Sequence, residues 1–192
     1  MDMKTKSCQR LLTLIGIVFL LTTCKDAPKP DITGEFTDGN GGTAVSETRL
    51  ERNITNTSGD VIATYQYDAT YFIEIYSATS NADSTLLALT DIGGEGLSLV
   101  TSRIYGRPDT ACRYLAALMA RDENFEIDLT GERENAGGIE FYQVELHNGS
   151  VYRGLYCAEL KNNTGVAISV QATSRAMLAY KQIYFILNSV TL

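Results

Sequence analysis

The 192-residue chain is 44% hydrophobic, enough for one domain of ordinary size with a proper core, and its net charge of −7 is not relieved by any run of Lys or Arg. So acidic a chain has no basic stripe to track phosphates, which excludes nucleic acid as a partner. With one histidine and only two cysteines, Cys112 and Cys157, beyond the first 24 residues, no soft-metal cluster is expected.

Lys4, Lys6 and Arg10 form a positive start, Leu11 to Leu21 is almost unbroken apolar sequence, and Thr22-Thr23-Cys24 follows. The run is shorter than the roughly 20 residues a spanning helix needs, and it fits the apolar region of an export signal. Leu21-Thr22-Thr23-Cys24 resembles a bacterial lipobox, with Thr23 where the pattern prefers Gly, Ala or Ser. The resemblance implies that Cys24 is acylated and begins the mature chain, anchoring an outer-membrane lipoprotein on its periplasmic or surface-exposed face. An ordinary cleaved signal and an uncleaved anchor are the alternatives. Cys24-Lys25-Asp26 resembles the surface-export signal of lipoproteins in Bacteroidetes-type bacteria, with Ala27 in place of a second acid. Asp83-Ser84-Thr85 and Asp109-Thr110-Ala111 resemble the short O-glycosylation acceptor of the same bacteria.

Three regions follow: a signal peptide over 1–23, a flexible tether over 24–46 and a single α+β domain over 47–192. Loss of Lys4, Lys6, Arg10 and Asp2 with the signal moves the net charge from −7 to −9. Cys8 leaves with the signal, Cys24 takes the lipid, and Cys112 and Cys157 remain in an oxidising compartment. Pro28, Pro30 and Asp38-Gly39-Asn40-Gly41-Gly42 give the tether its composition, although Ile32 to Phe36 can form a short docking strand.

The domain opens with strands. Val61, Ala63, Tyr65 and Tyr67 alternate with Ile62, Thr64 and Gln66, and Tyr71 to Tyr76 is again β-branched and aromatic, which predicts a hairpin turning at Asp68-Ala69-Thr70. A second hairpin joins Leu86–Ile92 to Leu97–Ser102 through Gly93-Gly94-Glu95-Gly96. No helix or Lys-Ser/Thr follows that loop, so a turn is preferred to a phosphate cradle.

Arg107-Pro108-Asp109-Thr110 starts a helix, with Asp109 or Thr110 as its cap and Ala111, Cys112, Leu115, Leu118 and Met119 on one face. Phe125, Ile127 and Leu129 alternate as a strand, and Gly131 to Gly138 is predicted as a charged loop. Asn148-Gly149 between two alternating runs is the strongest hairpin signal in the chain. A further turn at Lys161 to Gly165 leads to Val166, Ile168 and Val170, completing a meander. Thr173 or Ser174 then caps a last helix carrying Met177, Tyr180, Ile183, Tyr184, Leu187 and Val190.

This order of helix after Pro108, strand, Ala136-Gly137-Gly138 entry to three strands, and closing helix ending Ile186-Leu187-Asn188-Ser189-Val190 resembles PsbP-like and DcrB-like proteins over roughly Ser84 to Leu192. The resemblance implies an α/β/α sandwich, an antiparallel sheet flanked by helices, and it carries no catalytic signature. A lipocalin-like β-barrel with a C-terminal helix, started by Thr33-Gly34-Glu35-Phe36, is the alternative fold.

Chemistry is sparse. His147 lies beside a hairpin turn, where a surface histidine is expected rather than a catalytic base. The Asp/Glu spacings match no calcium loop, although a carboxylate pair of the glycosidase kind stays open. Tyr65, Tyr67, Tyr71, Tyr142, Tyr152 and Tyr156 are either a recognition cluster or half-buried packing. The expectation is therefore no catalytic residue, no metal and no cofactor. The chain is expected to be a membrane-tethered, non-catalytic protein-binding or scaffold module with an unidentified envelope protein as partner, a small-ligand carrier or a carboxylate hydrolase being the alternatives. Cys112 and Cys157 should both enter the layer between helix and sheet, where they either pair as a disulfide or pack as separate thiols.

Overall fold

The computed structural model describes residues 48–192. Cys24, the signal peptide, the tether and the Ile32–Phe36 strand lie outside the described residues. Nine strands, two α-helices and one 3-10 helix follow in the order β1 (Arg49–Thr55), β2 (Val61–Asp68), β3 (Phe72–Ser77), β4 (Thr85–Asp91), β5 (Ser98–Tyr105), α1 (Pro108–Asp122), β6 (Glu126–Glu134), β7 (Glu140–Asn148), β8 (Val151–Lys161), β9 (Thr164–Ala172), the 3-10 helix Arg175–Ala179 and α2 (Lys181–Ser189).

Seven strands form one antiparallel sheet in the order β3-β4-β5-β9-β8-β7-β6, while β1 and β2 form a separate ribbon. Among the described residues the outer strands β3 and β6 each pair on one side alone and not with each other, so the sheet is not the closed barrel of the alternative. The fold is α+β.

Alternation sends the two faces of the sheet to different partners. On one side Leu87, Leu89, Leu97, Leu99, Phe141, Tyr156, Ile168 and Val170 pack with Ile62, Tyr65 and Tyr67 of the ribbon, Leu178, and Ile183, Ile186 and Leu187 of α2. On the other, Tyr142, Val144, Leu146, Leu155, Cys157 and Ala167 pack with Cys112 and Ala116 of α1, joined by the half-buried Leu115 and Met119. Helix α1 is the crossover from β5 to the far edge at β6, and the meander β6 to β9 returns from there to pair with β5.

Turn chemistry sets the registers. Asn162 and Asn163 both take left-handed φ, 55° and 58°, and close β8 onto β9 with Lys161 opposite Thr164. Asn tolerates that region, which a two-residue hairpin requires. In the β7–β8 hairpin Gly149 has φ of 60° and Asn148 stands opposite Val151, so the turn centres one residue later than Asn148-Gly149 implies. Gly165 is needed for space: a Cβ there would overlap the Ala158 carbonyl oxygen.

Four expectations are corrected. The strand from Val61 does not pair with the one from Tyr71. Its partner is β1, and the chain passes at Asp68 from the ribbon layer to the sheet layer, with Asp68 Oδ1 accepting the Thr70 N–H at 2.9 Å. Asp109 and Thr110 do not cap α1, because the N-cap is Arg107 and Pro108 fills the first turn, where a missing N–H costs nothing. Residues 131–134 continue β6 as a charged edge strand paired to β7 rather than a loop. The last helix is broken at Tyr180 (φ −64°, ψ 143°), which separates the 3-10 turn from α2.

Two buried polar side chains fasten the ribbon side. Asn135, 2% exposed, donates through Nδ2 to the carbonyls of Leu187 (3.0 Å) and Val190 (2.9 Å), and its Oδ1 accepts the N–H groups of Gly137 and Ile139. It thereby satisfies carbonyls at the C-terminal end of α2 that have no partner within the helix. Arg103, 5% exposed, donates to the carbonyls of Thr55 (2.7 Å), Asn81 (2.8 Å) and Asp83 (3.1 Å), clamping the β1–β2 ribbon and the β3–β4 connection onto β5.

Candidate functional site

The covering layers leave one region bare. Helix α1 lies over β5 to β9 and makes no extended contact with β3 or β4. On its side of the sheet Thr90 of β4 and Ser98, Val100 and Ser102 of β5 are half-exposed. Beside them edge strand β3 presents Ile73 (54% exposed), Ile75 (65%) and Tyr76 (42%), with Ile92 (58%) next to them. Lone surface apolar residues are ordinary, but adjoining isoleucines on an unpaired edge are not.

The inner side of β3 is well anchored. Glu74 accepts the Tyr67 hydroxyl proton and forms an ion pair with Arg52, whose guanidinium sits 5.7 Å from the Tyr67 ring centroid. Burial, and then the bond to Glu74, push the Tyr67 hydroxyl up to about 12. The Tyr71 hydroxyl donates to Glu95 at 2.7 Å, and that of Tyr76 donates to Asp83 at 3.3 Å. The strand is thus fixed from within, and among the described residues its outer edge has no partner strand.

The opposite edge differs. Strand β6 (Glu126–Glu134) carries Glu126, Asp128, Glu132, Arg133 and Glu134, the charges by which edge strands resist pairing with other chains. His147 belongs to this end. Its Nδ1 lies 2.8 Å from Asp128 Oδ1 and its ring stacks on Tyr152, while Arg153 beside it bonds Glu123 and Gln171. Its partners are an acid and a phenol ring, an arrangement that fastens β6, β7 and β8 and activates no nucleophile.

Carboxylates meet in a cleft of about 340 Å³ where the start of α1 faces β6, β7 and β8, lined by Asp109, Glu132, Glu140 and Glu159 with Arg107, Ile139, Tyr142 and Leu192. Asp109 is already paired with Arg107 at 3.2 Å. The lining is too polar and open for an apolar carrier pocket. Among the described residues no group of three His, Cys, Asp or Glu side chains could hold a metal ion.

The remaining sequence candidates divide. Tyr65, Tyr67, Tyr142 and Tyr156 are buried, and Tyr71 and Tyr152 are half-buried, so these six form no recognition surface. Cys112 of α1 and Cys157 of β8 are joined by a disulfide with their Cα atoms 5.8 Å apart. The open β3 edge was missed because its pairing was misassigned. Its signal was the alternation Ile73-Glu74-Ile75 without a neighbouring Lys or Arg.

No protein-family model matches the chain, and no curated protein matches it in sequence. Among solved structures, the solution structure of cyanobacterial PsbP (CyanoP) from Synechocystis sp. PCC 6803 is similar with a TM-score of 0.54 at 10% identity, covering 79% of this chain and 96% of that one. A protein of Bacteroides thetaiotaomicron VPI-5482 gives 0.39 at 7% identity over 77% of this chain and 48% of that one, too weak a likeness to place any element. The first match shows a PsbP-like α+β fold.

Proposed function

We propose that the chain is a membrane-tethered envelope lipoprotein whose folded part is a non-catalytic protein-binding or scaffold module. One observation carries the reading: an inwardly anchored edge strand with Ile73, Ile75 and Tyr76 exposed, on a sheet whose other edge is blocked by charge. The architecture is taken as a variant of the α/β/α sandwich, in which the β1–β2 ribbon shares one face with α2. Acylated Cys24 holds it to the outer membrane, on the periplasmic or surface-exposed face, and residues 24–46 are the tether. In that oxidising compartment Cys112 and Cys157 remain paired.

Three measurements test this. Mass spectrometry of the purified N-terminus should find a diacylated or triacylated Cys24, and an unmodified Cys24 or a different start removes the anchor. Thiol counting under denaturing, non-reducing conditions should find no reactive Cys112 or Cys157. Photo-crosslinking in the intact envelope, from a reactive residue placed in turn at Ile75, Tyr114 and Ile127, should yield a discrete protein adduct. Absence of an adduct from every position removes the binding role.

A further inference from the structure

We infer that the β3 edge receives an extended segment of a partner protein, apolar at alternate positions and basic between them, as an eighth strand of the sheet. The inference rests on the protein-binding reading above and names the partner's chemistry. An extended segment added to a free edge gains main-chain hydrogen bonds, while alternate side chains settle specificity. Here Ile73, Ile75 and Ile92 supply the exposed apolar surface, with Ile73 opposite Thr90 of β4 and Ile75 at a bulge between Glu74 and Tyr76.

Charge decides which segment fits. From Asn53 to Ser102 the chain carries Asp60, Asp68, Glu74, Asp83, Asp91 and Glu95 and not one Lys or Arg. Arg52 and Arg103 lie just outside that span, Arg52 balancing Glu74 and Arg103 buried against the Asn81 and Asp83 carbonyls. Of the other acids, Asp60 lies in the β1–β2 turn and Asp91 is buried, and the remaining three bracket the edge. Asp68 holds Thr70 and Glu95 holds Tyr71 at the start of β3, and Asp83 holds Tyr76 near its end. A basic segment would find an acid near each end of the strand, Asp68 and Glu95 at its start and Asp83 near its end, which favours encounter as well as register.

The same field disfavours other occupants. A second copy paired antiparallel about a two-fold axis would set Asp83 of each chain against Asp68 and Glu95 of the other. The chain's own Ile32–Phe36 stretch contains Glu35, is flanked by Asp31 and Asp38, and is of the wrong sign. An anionic lipid surface is repelled for the same reason.

The test uses the full mature chain and three synthetic octapeptides, in which lysine alternates with valine, glutamate with valine, and lysine with serine, with amide hydrogen exchange as the readout. The Lys-Val peptide should slow exchange in β3 and leave β6 unchanged, with affinity falling as salt rises. The Glu-Val and Lys-Ser peptides should protect nothing. Ile75→Asp should weaken Lys-Val binding about tenfold or more, since an isoleucine contact is lost, and as an exposed change it should leave the fold intact. Equal protection by Glu-Val or Lys-Ser, protection of β6 instead, or concentration-dependent protection of β3 without peptide would each overturn the inference, the last by showing a second copy there. Envelope adducts from Tyr114 or Ile127 but not Ile75 would overturn it while leaving the protein-binding role standing. Adducts from no position would remove both.

Discussion

The two faces of the seven-stranded sheet are closed in different ways. On the ribbon side apolar contact runs from Leu87 in β4 to Phe141 in β7, reinforced by Asn135 and Arg103. On the α1 side a single helix with only Cys112 and Ala116 fully buried covers a smaller cluster, and a disulfide ties it to β8. A layer too small to be held by area is held by chain connectivity. Because one helix cannot cover seven strands, β3 and β4 stay bare on that side.

The sharpest way to break this contrast is to remove the bridge. Closing a loop of 45 residues stabilises by about 4 kcal/mol in the chain-entropy model, so Cys112→Ser with Cys157→Ser should lower unfolding free energy by up to that amount. Amide exchange should rise in α1 first and leave β2 and α2 protected. A uniform rise over both faces would show that the layers are not separately held. The next test is a matched pair of leucines, both 0% exposed: Leu99 on the ribbon side and Leu155 on the α1 side. Leu→Ala should cost roughly 3–5 kcal/mol at Leu99 and roughly 2–3 at Leu155, where half-buried Leu115 and Met119 have room to collapse into the gap. Equal losses in denaturant unfolding would erase the distinction.

Asn135→Ala should cost roughly 2–3 kcal/mol, since it strands two carbonyls of the α2 end and two N–H groups of the β6–β7 turn. Exchange should quicken at Ile186 to Ser189, and unchanged exchange there would remove the capping role.

The smallest expected effect is alkaline. Tyr65, Tyr67 and Tyr156 belong to the ribbon-side core, and burial raises each hydroxyl above the ordinary tyrosine value, Tyr67 to about 12. The folded chain then keeps protons that the unfolded chain releases. That contribution is complete below about pH 10, the unfolded value, and is lost as pH climbs through the folded one. Melting temperature should decline over that window, and Tyr67→Phe should flatten the decline. An unchanged slope would assign the loss to other groups.

Much of this fold was legible. Gly93 to Gly96, Asn148-Gly149 and Lys161 to Gly165 announced the hairpins because positive φ is written in Gly and Asn, and Pro108 announced α1. Strand β1 was not legible. Arg49-Leu50-Glu51-Arg52-Asn53-Ile54-Thr55 has one fully buried residue, Ile54, and is a strand because β2 offers it an edge. Misreading β2 as the partner of β3 followed from this, and hid the one edge on which the candidate site rests. Charged β6 failed for the same reason, since propensity yields to a partner strand. The inward direction of Cys112 and Cys157 could be read from periodicity, but not which face of the sheet each would meet.

The crossover made by α1 places the last strand, β9, in the middle of the sheet, with Ser98 facing Gln171 and Tyr105 facing Thr164. Strands β3 to β5 are adjacent in sequence and so are β6 to β9, so each group pairs locally. The seam between them closes only after the intervening helix and meander have been synthesised, and loop closure of that kind slows folding. For a chain made from its N-terminus, the flank of β5 that belongs to β9 is then a second temporary edge, and Leu99 and Ile104 beside it are exposed until β9 arrives. It is a surface that the finished molecule no longer shows.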